Sequence, residues 1–148
     1  MLARLILTIP TQMDRVADVG ARVRAFCAGT PLDEVDAMEI ELCVVEALNN
    51  AIEHGYGLRD DGEIRISAVR SSVAISVELM DAGKPIPHDV LEGAANSNMD
   101  FDPGDVASLP ERGLGLPIIN RVMDRVGYRR DGVHNILVLT RRFGTHAR

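Results

Sequence analysis

Hydrophobic and polar positions alternate with a period of two from Leu2 to Ile9, and Pro10 ends the run, which predicts a first strand. The period then changes. From Gln12 to Ala28 the apolar residues Met13, Val16, Ala17, Val19, Val23 and Phe26 recur at helical spacing, with Thr11 as a candidate cap and Gly29 as a stop. After Pro31 a second amphipathic helix is predicted from about Asp33 to His54. It carries Val35, Met38, Ile40, Leu42, Cys43, Val45 and Leu48 on its apolar side and ends near Gly55 and Gly57. Arg59-Asp60-Asp61-Gly62 is turn chemistry. The runs Glu63 to Val69 and Val73 to Met80 both alternate around Arg70-Ser71-Ser72 and read as a hairpin. The second strand delivers Asp81, and Ala82-Gly83-Lys84-Pro85-Ile86-Pro87 is too rich in Gly and Pro for regular structure. Glu92 to Glu111 is polar and aperiodic, a long loop of the kind that forms lids. Gly113-Leu114-Gly115-Leu116 opens a third helix, with Leu116, Ile118, Ile119, Val122, Met123 and Val126 apolar. A last strand pair follows, Gly127 to Arg130 and Asn135 to Arg142, turning at Asp131-Gly132.

Helices interleaved with hairpins predict an α/β (α+β) fold. The expected form is a two-layer sandwich with a mixed, mostly antiparallel sheet and helices on one face. A length of 148 residues fits one domain over 1–148. With 46% hydrophobic and only 3% aromatic residues, the core is expected to be aliphatic. The formal net charge of -6, with Lys84 the one lysine, argues against direct nucleic-acid binding. Arg141, Arg142 and Arg148 read as a solvated tail. Cys27 and Cys43 form no CxxC pair and are expected to be buried reduced thiols, which fits a cytoplasmic location. The apolar start is too brief for a signal peptide and no run approaches membrane-spanning length.

Three patches carry polar or glycine residues that the fold does not require. The first is the second helix, where Glu46, Asn50 and His54 recur every four residues along one face, with Glu53 on the same side. A carboxylate and an amide one turn apart suit a hard cation and its oxygen ligands. The second is Asp81 with Gly83, where a carboxylate can accept from an exocyclic amine and a glycine lets backbone approach a ring. The third is Arg112 with Gly113 and Gly115 at a helix start, where free N–H groups and the helix dipole favour phosphate. Each alone has a plain structural explanation: a wet helix face, a turn former, a tight turn.

Together, the E-x-x-x-N helix (Glu46, Asn50), the D-x-G box (Asp81, Gly83) and the R-G-x-G-L box (Arg112, Gly113, Gly115) resemble the GHKL ATPases. Glu46-Ala-Leu-Asn-Asn-Ala-Ile-Glu-His-Gly-Tyr56 is similar, more narrowly, to the anti-sigma-factor serine/threonine kinases of bacterial partner-switching pathways. The resemblance spans nearly the whole chain and implies a Bergerat-type ATP-binding fold with a lid around residues 92–112. It implies Glu46 as general base on a serine hydroxyl, Asn50 on Mg2+, and Asp81 with Gly83 and Pro85 at the adenine. It further implies that Arg112, Gly113, Leu114, Gly115 and Leu116 cover the phosphates of ATP, with His54 near the nucleotide or merely ending the helix. The implied partners are an antagonist of the anti-sigma factor (a STAS-domain protein) as substrate, a sigma factor, and a second copy of the chain through a surface that includes the first helix.

Two departures stand out. Lys84-Pro85 occupies the place where many relatives have a second glycine, and proline narrows the backbone's options there. The segment Glu92 to Glu111 holds no basic residue, so Arg112 alone supplies cationic charge on the lid side. The alternatives are a sequestering module that binds ATP without turnover, and a detached histidine-kinase catalytic domain. The last is disfavoured because His88, His134 and His146 fall in turn, strand-edge or tail positions.

Overall fold

In a computed structural model, which describes residues 2–95 and 115–144, five strands form one sheet. They are β1 Ala3–Pro10, β2 Glu63–Arg70, β3 Ala74–Asp81, β4 Arg125–Asp131 and β5 His134–Arg142. The helices are α1 Val16–Phe26, preceded by a short 3-10 turn, α2 Glu34–Asn50, α3 His88–Ala95 and α4 Gly115–Val122. Strand order is β1-β2-β3-β5-β4, and all four neighbouring pairs are antiparallel. The fold is thus the α+β sandwich expected, with a sheet that contains no parallel pair among the described strands. The reason is the chain's route from β3 to β4: β4 runs in the same direction as β3 but one place further out, and its hairpin partner β5 fills the gap.

Burial alternates along β2 and β3, so one face of the sheet is covered. Ile64, Ile66, Ala68, Ile75, Val77, Leu79, Leu137 and Leu139 form that face. Val19 and Val23 of α1, Ile40, Val44 and Leu48 of α2, and Ile118 and Ile119 of α4 pack against it. The core is aliphatic, as the composition requires, and both cysteines are buried within it as free thiols. Burial pushes the Cys27 thiol up to about 11 and raises Cys43 as well, so neither is a nucleophile at neutral pH.

Several expectations are corrected. Thr11 does not cap the first helix: its hydroxyl donates to the Arg59 carbonyl at 2.6 Å and accepts from the Gly62 N–H at 3.1 Å, tying the end of β1 to the loop before β2. Val35 and Met38 are each 49% exposed, because the buried stripe of α2 runs through Ala37, Ile40, Val44 and Leu48 instead. Val126 belongs to β4, not to the third helix. The start of the expected loop is helical, since α3 includes Glu92 to Ala95. Most of the expected lid, residues 96–112, lies outside the described residues.

Arg141 is the largest correction. It is not a tail residue but is 1% exposed, facing inward from β5. Its Nη2 donates to Asp36 at 2.6 Å and its Nη1 to the Val122 carbonyl at 2.8 Å. Asp36 is also the third residue of a capping box with Asp33 at the start of α2. One guanidinium therefore holds the first turn of α2 to the last turn of α4. Removing one member of a buried ion pair strands the other, so Arg141→Met is expected to lower unfolding free energy by about 3 kcal/mol in urea denaturation. A loss below about 1 kcal/mol would mean that the two helix ends are held by apolar packing alone.

Candidate functional site

The second helix widens where its polar stripe lies. After Asn50 the chain makes a π-helical turn, Ala51–Gly55, closed by the Tyr56 N–H donating to the Ala51 carbonyl at 2.9 Å. Such turns are rare, and they concentrate at functional sites. Here the wider turn carries the backbone of Gly55 against the loop after β3. A Cβ on Gly83 would stand 2.6 Å from the Gly55 carbonyl carbon, so only glycine fits. The Lys84 N–H donates to the Gly55 carbonyl at 2.6 Å in the same contact.

Tyr56, next along the chain, braces this loop from below. Its hydroxyl accepts from the Ala82 N–H at 2.8 Å and donates to the Glu63 carbonyl at 2.8 Å. Asp81 is held from two directions: its Oδ1 accepts from the Gly83 N–H at 2.9 Å and from Asn135 Nδ2 at 2.8 Å. No hydrogen bond among the described residues reaches Oδ2.

At the other end of the site α4 begins on α2. A Cβ on Gly115 would lie 2.9 Å from both Cβ and Oε2 of Glu46, and 3.1 Å from Asn50 Nδ2. Any side chain there would displace the two residues together. Desolvation by this packing raises the Glu46 pKa above the ordinary carboxylate range, and the charge of Glu53 adds to the rise. The Nδ2 of Asn50 is buried without a partner among the described residues, so through that atom the amide is not committed to the fold.

Between these ends lies a cavity of about 360 Å³, within the size range of small-ligand pockets. Its walls bring together Asn50 and His54 from α2 and the π turn, Asp81 from β3, Pro85 from the loop and Leu116 from α4. Leu79, Ile86, Leu137 and Tyr128 supply an apolar floor of the kind a flat ring needs. Glu46 stands beside the cavity rather than on its wall, and Gly83 is turned toward Gly55. His54 is open to solvent and 4.0 Å from Glu53. Arg112, Gly113 and Leu114 lie outside the described residues. Sequence reasoning missed Tyr56, Tyr128 and Asn135 as parts of the site. The one available signal was that a chain so poor in aromatics places a tyrosine immediately after the polar stripe.

An antiparallel sheet backed by helices thus carries an acid and an amide at one end of a cavity and a braced carboxylate at the other. A family model described as the histidine kinase-like ATPase domain matches residues 9–141, and the chain belongs to that family. Its relatives include proteins named anti-sigma F factor and proteins named serine-protein kinase RsbW. An anti-sigma F factor of Clostridium beijerinckii is 31% identical over 104 residues, 69% of this chain and 67% of that protein. The serine-protein kinase RsbW of Bacillus cereus is 27% identical over 139 residues, 91% of this chain and 82% of the relative. Among solved structures, the RsbU and RsbW domains of a Mycobacterium tuberculosis protein match with a TM-score of 0.66 at 19% identity. That match covers 99% of this chain and 34% of the larger one, and it bears on the fold.

The raised pKa of Glu46 has a consequence for stability. Stability tied to its protonated form is fully present below the ordinary value of 4.5 and is lost as pH rises through the folded value. Glu46→Gln has no charge to desolvate. Its urea midpoint, relative to wild type, is therefore expected to rise as pH increases above the ordinary value of 4.5 and to level off once Glu46 is ionised in the folded protein. A difference that does not change with pH would place Glu46 in a solvated setting.

Proposed function

We propose that this chain is an ATP-dependent serine/threonine protein kinase that phosphorylates an antagonist protein and, when that antagonist is absent, holds a sigma factor. The observation that carries the reading is the placement of Glu46, a carboxylate with raised pKa, against Asn50 and Gly115 at one end of a cavity whose other end presents Asp81. A carboxylate moved toward neutral pKa is better matched to take a proton from a hydroxyl.

In this reading Asp81 Oδ2 accepts from the adenine amine, the ring lies on Leu79, Leu137 and Tyr128, and Gly83 and Pro85 shape the base pocket. The triphosphate runs toward Asn50 and the start of α4, where Gly115 meets α2 and Leu116 lines the cavity; the resemblance assigns Arg112, Gly113 and Leu114 to the phosphates as well. His54 lies on the same wall. The serine oxygen of the antagonist attacks the γ-phosphorus, its proton passes to Glu46, and the bond from the γ-phosphorus to the β–γ bridging oxygen breaks, releasing ADP. Catalysis of this kind is chiefly positioning and charge neutralisation. Among the described residues no cluster of three His, Cys, Asp or Glu exists to cage a metal. Mg2+ takes one or two protein oxygens and completes its shell with phosphates and water. Asn50 would hold it through its amide oxygen, the hard ligand that such a cation takes. When bound, Mg2+ neutralises the charge of the phosphates.

The phosphate added to the antagonist carries close to two negative charges and would weaken its hold on an acidic chain of net charge -6. The RsbW relative is named a serine-protein kinase and the Clostridium relative an anti-sigma factor, which supports both halves of the proposal. The same reading makes the protein a cytoplasmic homodimer that touches neither nucleic acid nor membrane. Among the described residues no helix is long and apolar enough to cross a membrane.

Incubating the purified chain with radiolabelled ATP, Mg2+ and the antagonist encoded beside it tests the proposal. Label is expected on an antagonist serine or threonine, with transfer lowered at least about 100-fold in Glu46→Ala while ATP binding persists. ATP binding without transfer by the wild type would instead support a sequestering module. Asn50→Asp and Asp81→Asn are expected to weaken Mg2+-dependent ATP binding sharply, and unchanged affinity in both would move the site elsewhere.

A further inference from the structure

Asn135, the second residue of β5, lies directly opposite Asp81 in the register with β3 and is 1% exposed. Its Nδ2 donates to Asp81 Oδ1 at 2.8 Å and to the Gly83 carbonyl at 2.8 Å. These two acceptors settle which way the amide points. Turned over, its oxygen would face two oxygens, one of them charged. As it stands both N–H groups are used, and Asn135 Oδ1 is buried without a partner among the described residues. A buried acceptor left unpaired is unfavourable, so the fold retains this amide for what its nitrogen does. The nitrogen and the Gly83 N–H together saturate one oxygen of Asp81 with donors. The carboxylate is thereby fixed in orientation. Asp81 is on the cavity wall and Asn135 is not.

We infer that Asn135 is a positioning residue for base selection. It pins Asp81 Oδ1 so that Oδ2 meets the ligand purely as an acceptor, which favours a purine bearing an exocyclic amine over one bearing a carbonyl at that place. This rests on the reading of the cavity as a purine-nucleotide site. Without the Asn135 donor, Asp81 is free to rotate, so its bond to an exocyclic amine weakens, while a carbonyl-bearing base, which makes no such bond, loses nothing. Discrimination is then lost even though Asp81 itself remains.

The other groups facing Asp81 leave this logic intact. Tyr56 and Tyr128 both sense its charge, and burial raises both phenols, so they stay neutral across an ordinary assay range. Lys84 and His54 share the cavity wall, and Arg130 is the β4 residue opposite Asn135. These groups are common to the wild type and to any Asn135 variant, so a difference between their pH profiles reports on Asn135.

The test is calorimetric binding of ATP and of ITP, each with Mg2+, to the full chain. The wild type is expected to prefer ATP, and Asn135→Leu to narrow the ratio of the two dissociation constants by about tenfold, the scale of one charge-assisted hydrogen bond. Asn135→Asp sets a second carboxylate against the first, so the pair must share a proton. Its ATP affinity relative to wild type is expected to fall as pH rises from about 5 to about 8. Variants that keep the wild-type ratio and the wild-type pH profile at an unchanged thermal midpoint would overturn the inference. Should the leucine variant not fold, the near-isosteric aspartate variant decides the question by its pH profile. A wild type that binds neither nucleotide overturns the purine-site reading itself, an outcome distinct from intact binding with unchanged selectivity.

Discussion

Gly83 and Gly55 meet backbone to backbone, and the width of the site follows from that contact. The loop after β3 can come no nearer, since a Cβ at Gly83 would lie 2.7 Å from the Gly55 oxygen, and the Lys84 N–H bond to that oxygen keeps it from moving away. The contact needs the π turn, because only the widened end of α2 brings Gly55 within reach. It also explains the departure at Lys84-Pro85. Position 84 contributes its N–H to Gly55, which lysine does as well as glycine. Position 85 follows the last donor that the contact needs, so a proline costs no hydrogen bond there.

A second close approach sets the other end. Helices α2 and α4 run antiparallel, joined at one end by Gly115 against Glu46 and Asn50 and at the other by Arg141 between Asp36 and the Val122 carbonyl. A tilt of α4 that relieved one junction would strain the other. The same packing that dries Glu46 and raises its pKa is therefore anchored by an ion pair at the far ends of both helices. The Glu46 carboxylate is tuned here by helix geometry more than by any single neighbour.

The period-two and period-3.6 patterns were enough to place all five strands and three of the helices, because half-buried sheets and amphipathic helices write their exposure into the sequence. Helix α3 was not legible: eight residues carry too few turns to show a period, and Gly93 interrupts them. The exposure of Val35 and Met38 was hidden because α2 is apolar over more of its circumference than it buries. Glu46 with Asn50, and Asp81 with Gly83, stood out as candidates because each pair is close in sequence. Asn135 and Arg141 did not: their partners lie 54 and 105 residues away, and only the β5 register brings them together. A buried arginine near a chain end has the same letter pattern as a solvated one.

The loop from Ala82 to Pro87 has the composition of a flexible segment, yet its backbone donors are all accounted for. The Ala82 N–H goes to the Tyr56 hydroxyl, Gly83 to Asp81, Lys84 to the Gly55 carbonyl and Ile86 to the Tyr128 hydroxyl. Positions 85 and 87 are prolines and have no N–H to place. The chain has only two tyrosines, and both are used here as props, one from the π turn and one from β4. Burial raises both phenols, so each stays protonated and leaves a lone pair for the loop. A segment held at every donor loses little further entropy when a ligand arrives, so binding free energy goes into contacts rather than into ordering the wall. The Gly and Pro content that removes regular secondary structure is thus also what makes the wall rigid, since it lowers the number of donors to be satisfied and lets two backbones touch.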